Sequence, residues 1–95
     1  DQVKEMYWSY GEGHTRLEKH IGNKEDNIWE AKYFGDLNLH VITEDGNDGK
    51  KIEVILQNDD KNIPLSDEKK MIVLSDTIHN NNVLFEEVFA GYTLN

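Results

Sequence analysis

The sequence predicts an α+β fold: an antiparallel three- to four-stranded meander covered by C-terminal helices. Three observations carry this expectation. Apolar residues alternate through 28–57 in three runs, at Trp29, Ala31 and Tyr33, at Leu37, Leu39 and Val41, and at Ile52, Val54 and Leu56. A period of two places each set on one face of a pleated strand. The runs are joined by Gly35-Asp36 and by Asp45-Gly46-Asn47-Asp48-Gly49, residue types that tolerate the positive φ of a tight turn. Beyond the only proline, Pro64, the apolar spacing lengthens toward that of a helix.

Val3, Met6, Tyr7 and Tyr10 stand at i, i+3, i+4 and i+7, the spacing of a short amphipathic helix ending at Gly11. The alternation of Met6, Trp8 and Tyr10 fits a strand nearly as well. Thr15-Arg16-Leu17-Glu18 has the pattern of a capping box, with Gly22 able to close one helical turn. Only Leu17 and Ile21 offer that turn an apolar side, so a strand pairing with the meander is an equal reading.

The predicted strands are 28–34, 37–44 and 50–57. A three-residue connection at 34–36 would oppose Tyr33 to Leu37, Ala31 to Leu39 and Trp29 to Val41. A slip of one residue would turn every side chain to the other face, so burial selects this register. Ser66-Asp67-Glu68 then resembles a helix start, with a side-chain acceptor followed by two acids near the positive end of the dipole. Met71, Leu74 and Ile78 follow at i, i+3 and i+7, which favours a helix over 67–79. The run Met71-Ile72-Val73-Leu74 is also a plausible buried strand. Leu84, Phe85, Val88 and Phe89 share one helical face opposite Glu86 and Glu87, with Asn82 as N-cap and Gly91 as the C′ residue, which predicts a helix over 82–91.

Ninety-five residues make a single domain, 1–95, with its sheet core at 28–57 and a helical region at 66–91. At 37% hydrophobic and 31% charged, the composition suits a small soluble folded chain. The absence of cysteine excludes disulfide scaffolds and thiolate chemistry. It fits a reducing compartment and makes a cytoplasmic location the expectation. A start at Asp1 rather than Met is also what removal of a leader would leave. No apolar run approaches the roughly 20 residues of a membrane span. The net charge is −9 and the only arginine is Arg16. Nucleic-acid binding needs clustered cations, and here Lys50-Lys51 and Lys69-Lys70 both have acids beside them. The expected partner is a basic protein.

Tyr33-Phe34-Gly35-Asp36-Leu37-Asn38-Leu39, then Gly49-Lys50-Lys51-Ile52-Glu53-Val54-Ile55-Leu56, followed by a polar gap, resembles a group of small uncharacterised bacterial α+β domains. Those domains pair a Phe-Gly-x-Leu strand entry with a Gly-Lys-x-Ile-x-Val-x-Leu strand and a C-terminal helical region. Some stand beside polymorphic toxins and are thought to be immunity proteins. The resemblance begins at Trp29, leaves 1–27 without a counterpart, and carries over no functional residue.

No motif for catalysis or for a cofactor is present. Of the four histidines, His14 and His20 are too far apart in an extended chain and lack the i, i+4 spacing of helical metal ligands. Asp45-Gly46-Asn47-Asp48-Gly49 fails as a calcium loop, because the twelfth position from Asp45 is Leu56 rather than a glutamate. Glu86 and Glu87 are adjacent and diverge, which argues a solvated face rather than an acid–base pair. Ser9, Ser66 and Ser75 lack a nucleophile elbow, and Gly11-Glu12-Gly13 lacks the third glycine of a dinucleotide loop.

The function expected from these residues is a non-enzymatic acidic protein-interaction domain, with an immunity-type inhibitor masking a basic partner surface as its specific form. In a meander, the start of the first strand and the connection after the second lie at one end. That gathers Glu25, Asp26, Glu44, Asp45 and Asp48 along one edge, diluted by Lys24, Lys50 and Lys51, with Trp8 as a candidate surface anchor. The opposite edge would hold Asp36, Asp59 and Asp60. Polar turns are often acidic for purely local reasons. The alternative is a secreted all-β binding domain that recognises glycan or protein through exposed aromatics, which requires 67–79 and 82–91 to be strands.

Overall fold

A computed structural model describes residues 3–17 and 35–95. In them the chain is all-β, with six strands and no helix: β1 (Val3–Tyr10), β2 (Thr15–Arg16), β3 (Leu37–Thr43), β4 (Lys51–Gln57), β5 (Met71–Thr77) and β6 (Asn82–Phe85). The strands form two antiparallel sheets, one in the order β2-β1-β3-β6 and one of β4 with β5. Leu37, Leu39, Val41, Val83 and Phe85 from the first sheet share one buried core with Ile52 and Ile72 from the second. Val41 and Ile78 have no exposed surface at all.

The α+β expectation is therefore overturned, and each helix gives way for a local reason. In 1–10 the alternation of Met6, Trp8 and Tyr10 prevails over the helical spacing, because β1 lies against β3 over its whole length. The capping-box segment supplies β2, where Ser9 faces Arg16 and Tyr10 faces Thr15. At Ser66 the cap chemistry is real but closes a turn: its Oγ accepts from the backbone N–H of Glu68 at 3.2 Å and of Lys69 at 2.8 Å. The β-branched pair Ile72-Val73 then runs on as β5 rather than as the predicted helix 67–79. The predicted helix 82–91 divides in the same way. β6 ends at Phe85, Glu86 and Glu87 stand exposed at a bend, and Val88 and Phe89 turn back into the core. Gly91, at φ 83°, does end a turn, but one of single i→i+3 bonds from Ala90 to Glu87 and from Tyr92 to Phe89.

The meander is corrected as well. The bounds of β3 and β4 agree with the apolar alternation to within a residue, but the two strands are not neighbours. β3 has β1 on one side and β6 on the other, so Leu39 faces Trp8 and Phe85, and Val41 faces Met6 and Val83. Neither edge of β3 is left for the predicted hairpins. The predicted strand 28–34 and its register partners Trp29, Ala31 and Tyr33 lie outside the described residues. The loop 44–50 is not a hairpin turn but the crossing between sheets. Its glycines Gly46 and Gly49 still take the positive φ expected of them, 88° and 87°.

Candidate functional site

Period-two alternation sorts the four-stranded sheet into a core face and an outer face. The outer face carries Tyr7, Ser9, Arg16, Asn38, His40 and Leu84. Direct register partners Tyr7, His40 and Leu84 lie in one row across β1, β3 and β6. Arg16 leans into that row from β2, its guanidinium 4.1 Å from the centre of the Tyr7 ring. Tyr7 stacks on His40 at 4.4 Å and 6°. Because β2 and β3 flank β1 on opposite sides, the guanidinium and the imidazole cover opposite faces of the phenol ring. His14 meets His40 edge-on at 5.5 Å, and its Nε2 lies 3.2 Å from the Glu86 carboxylate. Arg16 is also paired with Glu5 at 2.6 Å.

Beneath this row is a buried polar network. Asn38, 2% exposed, donates through Nδ2 to Ser9 Oγ at 3.2 Å and to the carbonyl of Gly11 at 3.1 Å. Its Oδ1 accepts the backbone N–H of Glu87 at 3.0 Å, which holds Glu87 at φ 49°. Ser9 Oγ lies 2.7 Å from His40 Nε2. The hydroxyl has a second lone pair and a proton of its own, so either partner can donate in this bond, according to the imidazole tautomer.

A serine hydrogen-bonded to a histidine invites a nucleophilic reading, and the geometry argues against it. Ser9 has 0% of its surface exposed, so no substrate atom reaches its oxygen. The surroundings of His40 instead favour its neutral form. Burial is the main cause of its lowered pKa, helped by the charges of His14 and Arg16 and opposed by Glu86. A lowered folded pKa means that the unfolded chain takes up this proton first as pH falls below 6.5. The contribution of His40 to stability is thus fully present above that value and is lost as pH falls through the folded pKa. The midpoint of thermal unfolding should drop more steeply between about pH 7 and pH 5 than that of a His40→Gln variant. Parallel slopes in the two proteins would remove His40 as the cause.

The acidic residues singled out in the sequence divide into two groups. Glu25 and Asp26, with Lys24, lie outside the described residues. Glu44, Asp45 and Asp48 are exposed on the loop between β3 and β4. They meet the turn 79–82 rather than another strand start. Asp48 accepts the backbone N–H groups of Asn80 and Asn81, each at 3.0 Å. Asp45 accepts Nδ2 of Asn81 at 2.6 Å. Asn80 and Asn81 are left-handed, at φ 53° and 61°, a conformation that asparagine tolerates better than most residues. Further bonds lock the two loops together, from Thr43 N–H to Asn81 O at 2.8 Å and from Gly49 N–H to Ile78 O at 2.9 Å. The ammonium of Lys50 lies against Asn47 Oδ1 at 3.3 Å and not against a carboxylate. Asp36, Asp59 and Asp60 fall at the ends of strands in different sheets.

Trp8 is half-buried and packs against the core, its ring stacked on Phe89 at 5.7 Å and 22°. Among the described residues no group of three or more acids and histidines is placed to hold a metal ion. The row of Arg16, Tyr7 and His40 is the feature that the sequence conceals, since its members come together only when β1 lies beside β3. Comparison of the chain with protein-family models, with curated proteins and with solved structures found no match in any of the three.

Proposed function

We propose that this chain is a non-enzymatic protein-interaction domain that presents a rigid acidic end to a basic protein partner. The observation that supports it is the state of Glu44, Asp45 and Asp48. The side-chain hydrogen bonds of Asp45 and Asp48 go to neutral amide donors, and among the described residues neither lysine nor arginine pairs with any of the three. Their charge is therefore available to a partner, on loops already held in place before binding. An immunity-type inhibitor that masks a basic surface is one form of this reading.

The alternative, recognition of glycan through exposed aromatics, has the all-β framework it required, but among the described aromatics Tyr7 and Trp8 are engaged by the protein itself. Both faces of Tyr7 are covered by Arg16 and His40, and Trp8 lies on Phe89. A sugar stacks on an open face, and these rings have given theirs to the protein itself.

The test takes the product of the adjacent gene as the candidate partner and follows its association rate by stopped flow at salt from about 0.01 M to 0.15 M, over which the screening length shrinks from roughly 30 Å to 8 Å. The rate should fall steeply across that range. Glu44 makes no side-chain bond of its own, so Glu44→Lys changes the charge with little effect on the fold. It should slow association on the order of threefold at low salt and much less at high salt. A partner of low isoelectric point, or a rate indifferent to salt, would overturn the proposal.

A further inference from the structure

A second surface, remote in chemistry from the acidic end, lies on the two-stranded sheet. Ile52, Val54, Leu56, Ile72 and Leu74 turn inward, so the alternate residues of β4 and β5 face out. Ile55 and Val73 are direct partners on that outer face, each 52% exposed, and Met71 beside them is 39% exposed. Among the described residues β5 pairs with β4 alone, and no described strand lies on its second edge.

Edge strands are usually guarded against pairing by charges, prolines or bulges. β4 has such a guard, because Lys51 and Glu53 flank Ile55 on its outer face. The apolar stretch of β5, from Met71 to Ser75, has no charge, no proline and no break in its register with β4, and the strand's one charge, Asp76, comes after it.

We propose that the second edge of β5 pairs antiparallel with the β5 of a second copy of this chain, about a two-fold axis through Val73. The sequence of the strand supports that occupant. With the axis at Val73, Val73 faces Val73, Ile72 faces Leu74, and Met71 faces Ser75. The flanking Lys70 of each copy then comes opposite Asp76 of the other. Placing the axis at Leu74 would set Ile72 against Asp76, and placing it at Ile72 would set Glu68 against Asp76 and Lys70 against Leu74. Of these three registers, the one about Val73 alone keeps Ile72, Val73 and Leu74 among apolar partners and sets cation against anion. The paired sheet runs β4-β5-β5-β4 through both copies and makes one apolar strip of the two exposed patches.

Such an edge-to-edge contact is small, so the dimer forms in proportion to concentration rather than as an obligate unit. Each copy carries a charge of −9, and like-charge repulsion opposes association. Added salt therefore strengthens the dimer, the reverse of its effect on a basic partner.

The chain contains no cysteine, which permits a test of both state and register. Residues facing across an antiparallel pair have Cα atoms about 4.5–5.5 Å apart, within the roughly 4.4–6.8 Å that a disulfide spans. Under mild oxidation the Val73→Cys variant should cross-link into a dimer. The Ser75→Cys variant should cross-link at least tenfold more slowly, because its two copies of that site lie roughly 13 Å apart along the ladder. Sedimentation of the unmodified chain should show a dimer fraction that rises with concentration and with salt. Val73→Lys should leave a folded monomer, with folding checked by circular dichroism. A chain that stays monomeric at every concentration and salt overturns the proposal, even if it still binds a basic partner. So does equal cross-linking of the two cysteine variants, which would put the contact on another face.

Discussion

Replacing Asn38 with leucine is expected to lower stability by about 3–5 kcal/mol. Three bonds leave with the amide, those to Ser9 Oγ, to the Gly11 carbonyl and from the Glu87 N–H. The bond to Ser9 is buried and the other two are partly buried, and a buried polar group left unpaired costs about 1–3 kcal/mol. A domain of this size has on the order of 5–14 kcal/mol in total. The midpoint of urea unfolding should therefore fall by about 2 M, given a slope of about 1–3 kcal/mol per molar. Ser9→Ala removes one hydroxyl from the same network and should cost only about 1 kcal/mol. A midpoint in Asn38→Leu shifted by less than that of Ser9→Ala would show that Asn38 is not the hub described.

Phe89→Ala is the second such substitution. Phe89 is 4% exposed and forms the floor on which Trp8 lies. Removing a buried phenyl ring costs about 3–5 kcal/mol, part of it for the cavity left behind. Trp8 would lose its stacking partner and meet water, so its emission should move to longer wavelength while the sheet signature in circular dichroism persists at low temperature. Unchanged emission would mean that Trp8 is held by its other neighbours and that the Phe89 contact is incidental.

The local grammar of the chain was legible, and its long-range pairing was not. Leu37–Thr43 and Lys51–Gln57 announce themselves through alternation, and Gly46, Gly49 and Gly91 take the left-handed conformations that their positions suggest. The cap at Ser66 was visible as an acceptor, but whether its turn continues as a helix depends on what lies beside it. Met71, Leu74 and Ile78 fit a helix by spacing, and the partner strand β4 decided against it. Read as one continuous strand, 82–91 would set Glu86 and Glu87 in the middle of an apolar run. Ending β6 at Phe85 and bending the backbone at Glu87 removes the conflict.

The candidate sites follow the same division. Asp45 and Asp48 are recognisable as turn acids, but nothing near them in sequence shows that Asn80 and Asn81 would be their partners. Ser9 and His40 are 31 residues apart, and Asn38 and Glu87 are 49 apart. A period-two pattern says which residues share a face of one strand and is silent on which strand lies next to it. Trp8 was a fair candidate for the surface on composition alone, and its burial could be read only once Phe89 was known to double back.

The position of β3 between β1 and β6 has a consequence for how the chain is made. Its central ribbon is held by partners from the two ends of the sequence, so emergence of 37–43 from a ribosome does not complete its sheet. One flank waits for residues beyond 81 to be synthesised. Closing so long a loop before any reward arrives slows the search. Completion of this sheet is thereby delayed until residues 82–85 have been made, when β6 arrives to seal a half-built layer.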